Sequence, residues 1–543
     1  MRAHLHGKTN RELLTKRTKK MKKTMKQHSF TSQLKSLALV FGIALTFTSC
    51  ANEDVAQNPT NPNDDNDKNL TTFVAGDEAK TRTSLDYNSG DFYWEAGDYI
   101  YVKDDNNVLQ KSSNAPTSKV ASFKYKVPGK FTAHTSYKVY YLGKYSSGNQ
   151  VTISFMQSQA VPNDTEHFGT AGDYGSATAH KIIGKQQFSF ELEHQPAYLV
   201  FQPYTSNPIL HNCYLTKVEV FSDNDIAETY TINPSTDNLD GSSIGPVFSK
   251  RITLLTGGSG SSSNPNGFSL TNTSPSVAIN GAYMVIKPGT HTLRVRYWVK
   301  DLVSNVEGTI TKLLPSTAYA SNTYYNMTAN LDVKDYDSEH YYMWDARYQY
   351  WQGHSGSQPK LNGQSSGDYP QSGTGSYYNT TYPGYGISNP ATQSCATLPN
   401  VNEICWYAKD GDPRWDGDEL WTTMGHLHRG GMWFKKKAYI STYRDDLAPD
   451  GDDWRIHANY MSWTASSILP DAADLNKYFF LPSLGRYTSG KLEDVDTEGY
   501  YWSSSASPSS NSNQAYCLHF FNGGGYVESL NLRSDGYRVM KFE

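Results

Sequence analysis

The pattern of hydrophobic and polar positions predicts β-structure over residues 70–333. Short runs rich in β-branched and aromatic residues, several of them alternating in period two, are separated by turns of Gly, Asn, Asp, Pro and Ser. The predicted strands are 71–74, 98–102, 121–127, 137–142, 151–156, 187–192, 197–202, 215–221, 228–232, 252–255, 283–286, 293–299 and 307–311. Strands of this length and spacing favour two β-sandwich domains, which we place at 70–190 and 191–333.

The pattern changes after residue 333 and predicts an α+β domain over 334–543. A helix with one apolar face is predicted from the i, i+3, i+4, i+7 spacing of Val401, Ile404, Cys405 and Ala408. Asn400 and Glu403 form a capping-box pattern at its start, and Gly411 ends it. A second short helix is predicted at 418–424. Four further strands are predicted at 500–504, 515–521, 527–532 and 537–542.

A basic segment followed by a short apolar run predicts a signal peptide with an upstream extension over residues 1–49. The run at 37–47 is too short to span a bilayer as a helix and suits a signal-peptide core. It ends in Phe-Thr-Ser-Cys, which resembles a bacterial lipobox and implies that Cys50 is lipidated. The alternative is an ordinary secretory signal with an incidental cysteine. Residues 50–69 are rich in Asn, Asp, Pro and Thr, so we interpret them as a disordered, lipidated tether.

Charge and composition exclude several classes of protein. The 543-residue chain has a net charge of −4 and is 13% aromatic, with 40 Tyr. Residues 1–35 hold eleven Lys and Arg against one Glu, so the rest of the chain is strongly acidic. An acidic body has no electrostatic reason to bind nucleic acid or an anionic membrane surface.

Two segments of the β-rich region resemble the fimbrillins of Bacteroidetes. They are KTRT (80–83) with WEAGDYIYV (94–102), and ELEHQPAYLVF (191–201). The resemblance implies two transthyretin-like β-sandwiches and assembly into surface pili. It also implies that a protease cuts the lipoprotein precursor after Arg82, or after Lys80 as the second choice. Losing the first strand would open a groove that a strand of a neighbouring shaft subunit fills. The alternative is that Arg82 only opens a strand and is never cut.

Five motifs of the last domain resemble the major paralogous domain of Fibrobacter and its Bacteroidetes relatives. They are NEICWY (402–407), LWTTMGH (420–426), GGMWF (430–434), LPSLG (481–485) and GYYWSSS (499–505). The resemblance implies a C-type-lectin-like fold, which occurs on tip subunits in the fimbrillin setting. The expected fold class is therefore mainly β, with two transthyretin-like sandwiches followed by an α+β lectin-like domain.

The last eight residues, 536–543, alternate and are expected to form a strand of their own domain's sheet. Such a chain can accept a neighbour's strand but cannot donate this one. We therefore expect a fimbrial tip subunit that is exported as an outer-membrane lipoprotein. As an adhesin, it is expected to bind a glycan or protein ligand. The alternative function is a stand-alone cell-surface glycan-binding lipoprotein that never joins a pilus.

No catalytic constellation is recognisable, so an enzyme is the third hypothesis, and no cofactor is expected. His426 and His428 have no third ligand nearby, so no metal site is expected. The acidic loop is interpreted as solvated rather than as a calcium site; its members are Asp445, Asp446, Asp450, Asp452 and Asp453.

Cysteines and aromatic residues supply the remaining candidates. An oxidising surface permits a disulfide between Cys405 and Cys517, whereas free buried thiols are the alternative. Aromatic residues around 341–385 could form a ligand platform, because Tyr and Trp give large contact areas at low entropic cost. The alternative is that they fill the domain's core. The platform candidates are Tyr341, Tyr342, Trp344, Trp351, Tyr377 and Tyr378.

Overall fold

Strands dominate the protein, as the hydrophobic pattern predicts, and they form several sheets. The computed structural model describes residues 28–29, 69–76, 84–87, 92–144, 146, 148–257, 263–370, 390–509 and 513–543. The chain divides into two compact units. Unit 1 comprises Met1–Ser206, Tyr214–Leu293 and Leu314–Asn330, and unit 2 comprises Asn207–Cys213, Arg294–Leu313 and Leu331–Glu543. The domain boundaries that we place near 190 and 333 stay predictions.

The strands before residue 331 are β1 (His28–Ser29), β2 (Leu70–Ala75), β3 (Ser84–Leu85), β4 (Phe92–Tyr93), β5 (Tyr101–Lys103), β6 (Leu109–Lys111), β7 (Phe123–Pro128), β8 (Ser136–Tyr141), β9 (Gln150–Thr152), β10 (Met156–Gln159), β11 (Gly175–Lys181), β12 (Gln187–Phe190), β13 (Glu193–His194), β14 (Ala197–Tyr204), β15 (Cys213–Ser222), β16 (Glu228–Ile232), β17 (Leu239–Ser243), β18 (Arg251–Thr256), β19 (Phe268–Ser269), β20 (Ala282–Ile286), β21 (Gly289–Asp301), β22 (Glu307–Tyr319) and β23 (Thr323–Asn330).

The later strands are β24 (Tyr341–Tyr342), β25 (Arg414–Thr423), β26 (His426–Lys435), β27 (Met461–Thr464), β28 (Tyr478–Pro482), β29 (Leu484–Thr488), β30 (Lys491–Val495), β31 (Glu498–Ala506), β32 (Gln514–Phe521), β33 (Gly524–Leu532) and β34 (Tyr537–Arg538). The α-helices are α1 (Phe168–Ala171), α2 (Val277–Asn280) and α3 (Val401–Asp410). The 3-10 helices are Leu210–Asn212, Ser355–Ser357, Lys437–Tyr439 and Leu475–Lys477. No helix in the described ranges is long and apolar enough to cross a membrane.

The largest sheet of unit 1 has the strand order β6-β5-β8-β11-β12-β2-β7, with β13 paired to β11. Its inward side chains form one apolar core around Phe73, Trp94, Tyr125 and Phe188. The predicted strand 151–156 is wrong, because the chain changes sheets there. β9 pairs with β16, whereas β10 pairs in parallel with β18.

Unit 2 contains a sheet of order β24-β34-β31-β32-β33-β27, with α3 packed against β31 and β33. Alternate residues of β32 enter two different cores. Leu518 and Phe520 belong to the core that includes Ile404 of α3, whereas Ala515 and Cys517 belong to a second core. This alternation follows from the period of two along a strand, which sends successive side chains to opposite faces.

The first predicted helix is confirmed and the second is wrong. The side chain of Asn400 accepts from the backbone N–H of Glu403, and the Glu403 side chain accepts from the N–H of Asn400, so the capping box is complete. Residues 418–423 instead belong to β25, and Met424 begins the two-residue turn through which β25 pairs with β26. Met424 and Gly425 of that turn both have positive φ, at 53° and 82°. This conformation matches the twist of a β-hairpin and turns the chain back.

The tail strand is shorter than predicted. Only Tyr537–Arg538 forms β34, and residues 539–543 continue without regular structure. They are nevertheless held in unit 2, because the N–H of Val539 donates to His340 O and the Phe542 side chain is buried in the core.

Replacing Asn400 with Ala should lower the free energy of unfolding of unit 2 by about 1 kcal/mol, because the first turn of α3 loses its side-chain acceptor. Urea unfolding of the full chain measures this. The control is Asn476→Ala, an exposed residue whose side chain caps no α-helix. Equal stabilities of the two variants would contradict the capping contribution.

Candidate functional site

The six-residue strand β2 is an internal strand of the unit 1 sheet. It pairs antiparallel with β7 along its whole length and parallel with β12 over its last four residues. In this register Phe73 lies opposite Tyr125 on one side and Phe188 on the other. Both neighbours are distant in sequence, so β2 fills a slot between strands formed by later parts of the chain.

Apolar packing and backbone pairing both hold β2 in this slot. The fully buried Phe73 ring lies 5.1 Å from the rings of Phe131 and Phe188, measured between centroids. Ala75 is also fully buried, and the N–H of Gly76 donates to Phe190 O at 3.2 Å. Burying a phenylalanine side chain stabilises a fold by about 1.5–3 kcal/mol, so Phe73 is the main apolar anchor of the strand.

The end of β2 lies at an open cleft. A cleft of about 750 Å³ is lined by Val74 and Gly76 together with charged side chains that include Lys138, Glu191 and Glu193. The chain therefore leaves the sheet at a solvent-accessible surface. The predicted processing residues Lys80 and Arg82 follow directly, but they lie outside the described residues, as does Cys50.

The predicted ligand platform is wrong for the residues that the structure describes. Tyr341, Trp344 and Trp351 are buried in the cores of unit 2, and Tyr342 is half-buried. Two of these side chains form hydrogen bonds inside the unit: Tyr341 OH donates to Leu484 O at 2.5 Å, and Trp344 Nε1 donates to Ser503 O at 2.9 Å. The three buried rings therefore stabilise the fold and present no surface to a ligand. Tyr377 and Tyr378 lie outside the described residues.

A different set of aromatic rings runs across one face of the unit 2 sheet, from the buried Tyr500 to the exposed Tyr460. Tyr500, His519 and Tyr526 occupy adjacent positions on β31, β32 and β33, and Tyr460 precedes β27. The ring centroids are 4.3 Å apart for Tyr500 and His519, 5.7 Å for His519 and Tyr526, and 5.9 Å for Tyr526 and Tyr460. We call these four residues the aromatic ladder. Phe521 adjoins it, 5.7 Å from Tyr526.

A carboxylate lies beside the inner end of the ladder. Tyr500 OH donates to Glu498 at 2.5 Å, and Nε2 of His519 lies 2.6 Å from the same carboxylate oxygen. The bond from His519 and then that from Tyr500 hold the pKa of Glu498 below its usual range, against the opposing effect of burial. The Arg486 guanidinium lies 4.5 Å from the centre of the Tyr500 ring. Glu498 is thus an anion, and its hydrogen bonds hold the side chains of Tyr500 and His519 in place.

The predicted disulfide is contradicted by the structure. Cys405 and Cys517 are free, buried thiols, as are Cys213 and Cys395. Cys405 lies on α3 in one core, whereas Cys517 lies on the opposite face of β32 in the other. The strand itself separates the two sulfur atoms. Burial raises the pKa of both thiols well above the usual value, which keeps them protonated and unreactive.

The acidic loop is a set of local pairs. Asp446 binds the guanidinium of Arg444, and Asp453 binds that of Arg455, each at 2.8 Å. Nδ1 of His428 lies 3.0 Å from Asp496. In the described part of the chain no group of three or more His, Cys, Asp or Glu is arranged to hold a metal ion.

Unit 2 also contains a cluster of charged side chains around β25. Arg296 Nη2 donates to Asp416 at 2.8 Å and to Thr309 at 2.7 Å. The neighbouring Glu419 carboxylate accepts from the side chain and the N–H of Thr311 at 2.7 and 3.1 Å. Burial, with a further contribution from Asp416, raises the pKa of Glu419 to about 7.

Among known proteins, the chain is similar to several solved structures. No family model matches the sequence, and no curated protein matches it. A candidate cell adhesion protein from Bacteroides ovatus is 11% identical, covers 48% of this chain and 93% of its own, and has a TM-score of 0.30. A fimbrial protein from Bacteroides ovatus is 11% identical, covers 86% and 98%, and has a TM-score of 0.22. The fimbrial anchor protein Mfa2 from Porphyromonas gingivalis is 10% identical, covers 45% and 83%, and has a TM-score of 0.21.

Proposed function

We propose that the protein is a non-enzymatic fimbrial subunit of the cell surface, located at the pilus tip and acting as an adhesin. The carrying observation is the position of β2, a short internal strand that later strands enclose on both sides. The precursor would be an outer-membrane lipoprotein anchored through Cys50. Cleavage after Arg82, or Lys80, would then leave β2 held by non-covalent contacts alone.

Loss of β2 would create a specific acceptor site. The facing edges of β7 and β12 would expose unpaired N–H and C=O groups, which readily pair with another chain. Phe131, Tyr125 and Phe188 would line an apolar pocket at the position of Phe73. A strand of a shaft subunit could then bind by β-augmentation. Its backbone would pair with the two edges, and a large apolar side chain would fill the pocket.

The packing of residues 537–543 argues against this segment as a donor strand. β34 pairs with β24, and Glu543 accepts from Tyr407 OH at 2.7 Å. Phe542 lies within 5.4 Å of the Tyr407 ring, measured between centroids. Donating these residues to a neighbour would open the core of unit 2, so this segment is a poor donor strand.

Sequencing the N-terminus of the protein from isolated fimbriae tests the proposal. We expect wild type to begin at Thr83, and a Lys80→Ala, Arg82→Ala double variant to retain β2 and fail to join a shaft subunit. Lys124→Ala, which removes an exposed charge on β7, is the control and should assemble normally. Assembled protein that still begins at residue 50 would contradict strand exchange. Surface protein that begins at residue 50 and joins no pilus would favour the stand-alone glycan-binding lipoprotein.

A further inference from the structure

We propose that the aromatic ladder is the binding site for a neutral oligosaccharide. This inference rests on the proposed adhesin function and names its ligand class. Of the four ladder residues, Tyr500 alone lies in one of the motifs that carry the resemblances.

The ladder is a continuous row of rings because three of its members face one another across paired strands. Tyr500 lies opposite His519, and His519 lies opposite Tyr526, in the antiparallel register of β31, β32 and β33. The planes of Tyr500 and His519 differ by 10°, and those of Tyr526 and Tyr460 by 25°. Rings fixed by strand register are already ordered, so ligand binding costs little side-chain entropy.

Exposure increases from one end of the ladder to the other. Tyr500 is buried, His519 and Tyr526 are half-buried, and Tyr460 is 54% exposed. The accessible part is therefore the row His519, Tyr526 and Tyr460, with Phe521 beside it. The negative face of an aromatic ring attracts positively polarised groups, and the C–H groups on the flat side of a pyranose ring are of this kind.

Polar side chains on the same face of the sheet can bind sugar hydroxyls. Ser462 lies opposite Tyr526 and Thr464 lies opposite Gly524, and both side chains are exposed. Gly524 contributes no side chain to this face, because the backbone of Trp463 and Thr464 packs closely against it. Glu528 lies two residues beyond Tyr526 on the same face and is half-buried. Hydroxyl donors of a saccharide match these acceptors.

The charges of the surface favour a neutral saccharide over other ligands. Glu498 and Glu528 are both on this face, and they would repel a sialylated or sulfated glycan. An apolar peptide would bury the Glu528 carboxylate without giving it a hydrogen-bond donor, which is costly. A neutral saccharide supplies both C–H faces for the rings and O–H donors for the carboxylates.

A second surface of unit 2 provides the matched control. A cleft of about 390 Å³ is lined by Tyr439, Asp412 and Lys435. Its central carboxylate is already paired, since Asp412 lies 2.9 Å from Arg414 and 3.6 Å from Lys435. Tyr439 is 50% exposed, close to the exposure of Tyr460, and it lies in a 3-10 helix outside the strands that carry the ladder.

The experiment is a glycan array with the full chain, comparing wild type with the variants Tyr460→Ala, Tyr526→Ala and Tyr439→Ala. We expect binding to neutral glycans and an affinity loss of about tenfold for each ladder variant, with Tyr439→Ala unchanged. Thermal unfolding checks that each variant is folded. Tyr460→Ala changes a residue outside the strands and so keeps the test valid if Tyr526→Ala unfolds.

Three outcomes would overturn the inference: no neutral glycan bound, binding to anionic glycans alone, or equal losses for the ladder and Tyr439 variants. Incorporation of the same variants into fimbriae is measured in parallel. Normal incorporation without glycan binding rejects the ligand class and leaves the fimbrial proposal intact. Ladder-dependent glycan binding without incorporation rejects the fimbrial proposal and leaves the site intact.

Discussion

Replacing Phe73 with alanine should lower the free energy of unfolding of unit 1 by about 3–5 kcal/mol. The ring is fully buried and contacts the rings of Phe131 and Phe188 from the middle of β2. Alanine would leave a cavity between strands that the surrounding pairing keeps from closing. Hydrogen exchange of the amides in β7 and β12, followed by mass spectrometry of the full chain, localises the loss to the slot.

Val74→Ala is the control for this result. Val74 points away from the core that holds Phe73 and lines the open cleft, so its truncation should cost within about 1 kcal/mol. If Phe73→Ala were no more destabilising than Val74→Ala, β2 would not be anchored by its apolar side chain. In the proposed function the cut Phe73→Ala protein should also release β2 and accept a donor strand faster than cut wild type.

The sequence predicts secondary structure well where local signals agree. At α3 the apolar period, the Asn400–Glu403 capping box and Gly411 all indicate one helix, and the structure has it. The segment 418–424 lacks such agreement. Leu420 and Met424 have helical spacing, but the β-branched Thr422 and Thr423 and the following glycine favour a strand and turn. Pairing with β26 decides between helix and strand, and the local sequence of one segment does not show which strand it will pair with.

The candidate sites were harder to predict because aromatic composition does not distinguish a core from a surface. Tyr341 and Trp351 belong to a Tyr-rich segment that looks like a platform, yet other elements of unit 2 cover them. Tyr500 and His519 lie in predicted strands and Tyr526 lies next to one, whereas Tyr460 precedes β27, which the pattern did not predict. The period of two could have placed His519 and Phe521 on one face. Their exposure depends on which parts of that face later elements leave uncovered, and this requires the tertiary structure.

Unit 2 should lose about 2 kcal/mol of stability between pH 5 and pH 8 through Glu419 alone. Burial raises the pKa of its carboxyl from 4.5 to about 7 in the folded chain. The folded state therefore binds a proton that the unfolded state releases, and stability is lost as the pH rises through about 7. The full shift corresponds to roughly 3 kcal/mol, and because Glu419 is only half-buried, solvent screening lowers the expected effect.

Glu419→Gln isolates this contribution, since the amide can still accept from Thr311 but does not titrate. Urea unfolding at pH 5 and pH 8 should give a smaller difference for the variant than for wild type, by about 2 kcal/mol. Asp535, whose pKa burial raises to about 6, titrates in both proteins and cancels in the comparison. Identical pH dependence of the two proteins would mean that Glu419 is ionised throughout this range. In that case the guanidinium of the Arg296–Asp416 pair would stabilise the neighbouring Glu419 carboxylate in its ionised form.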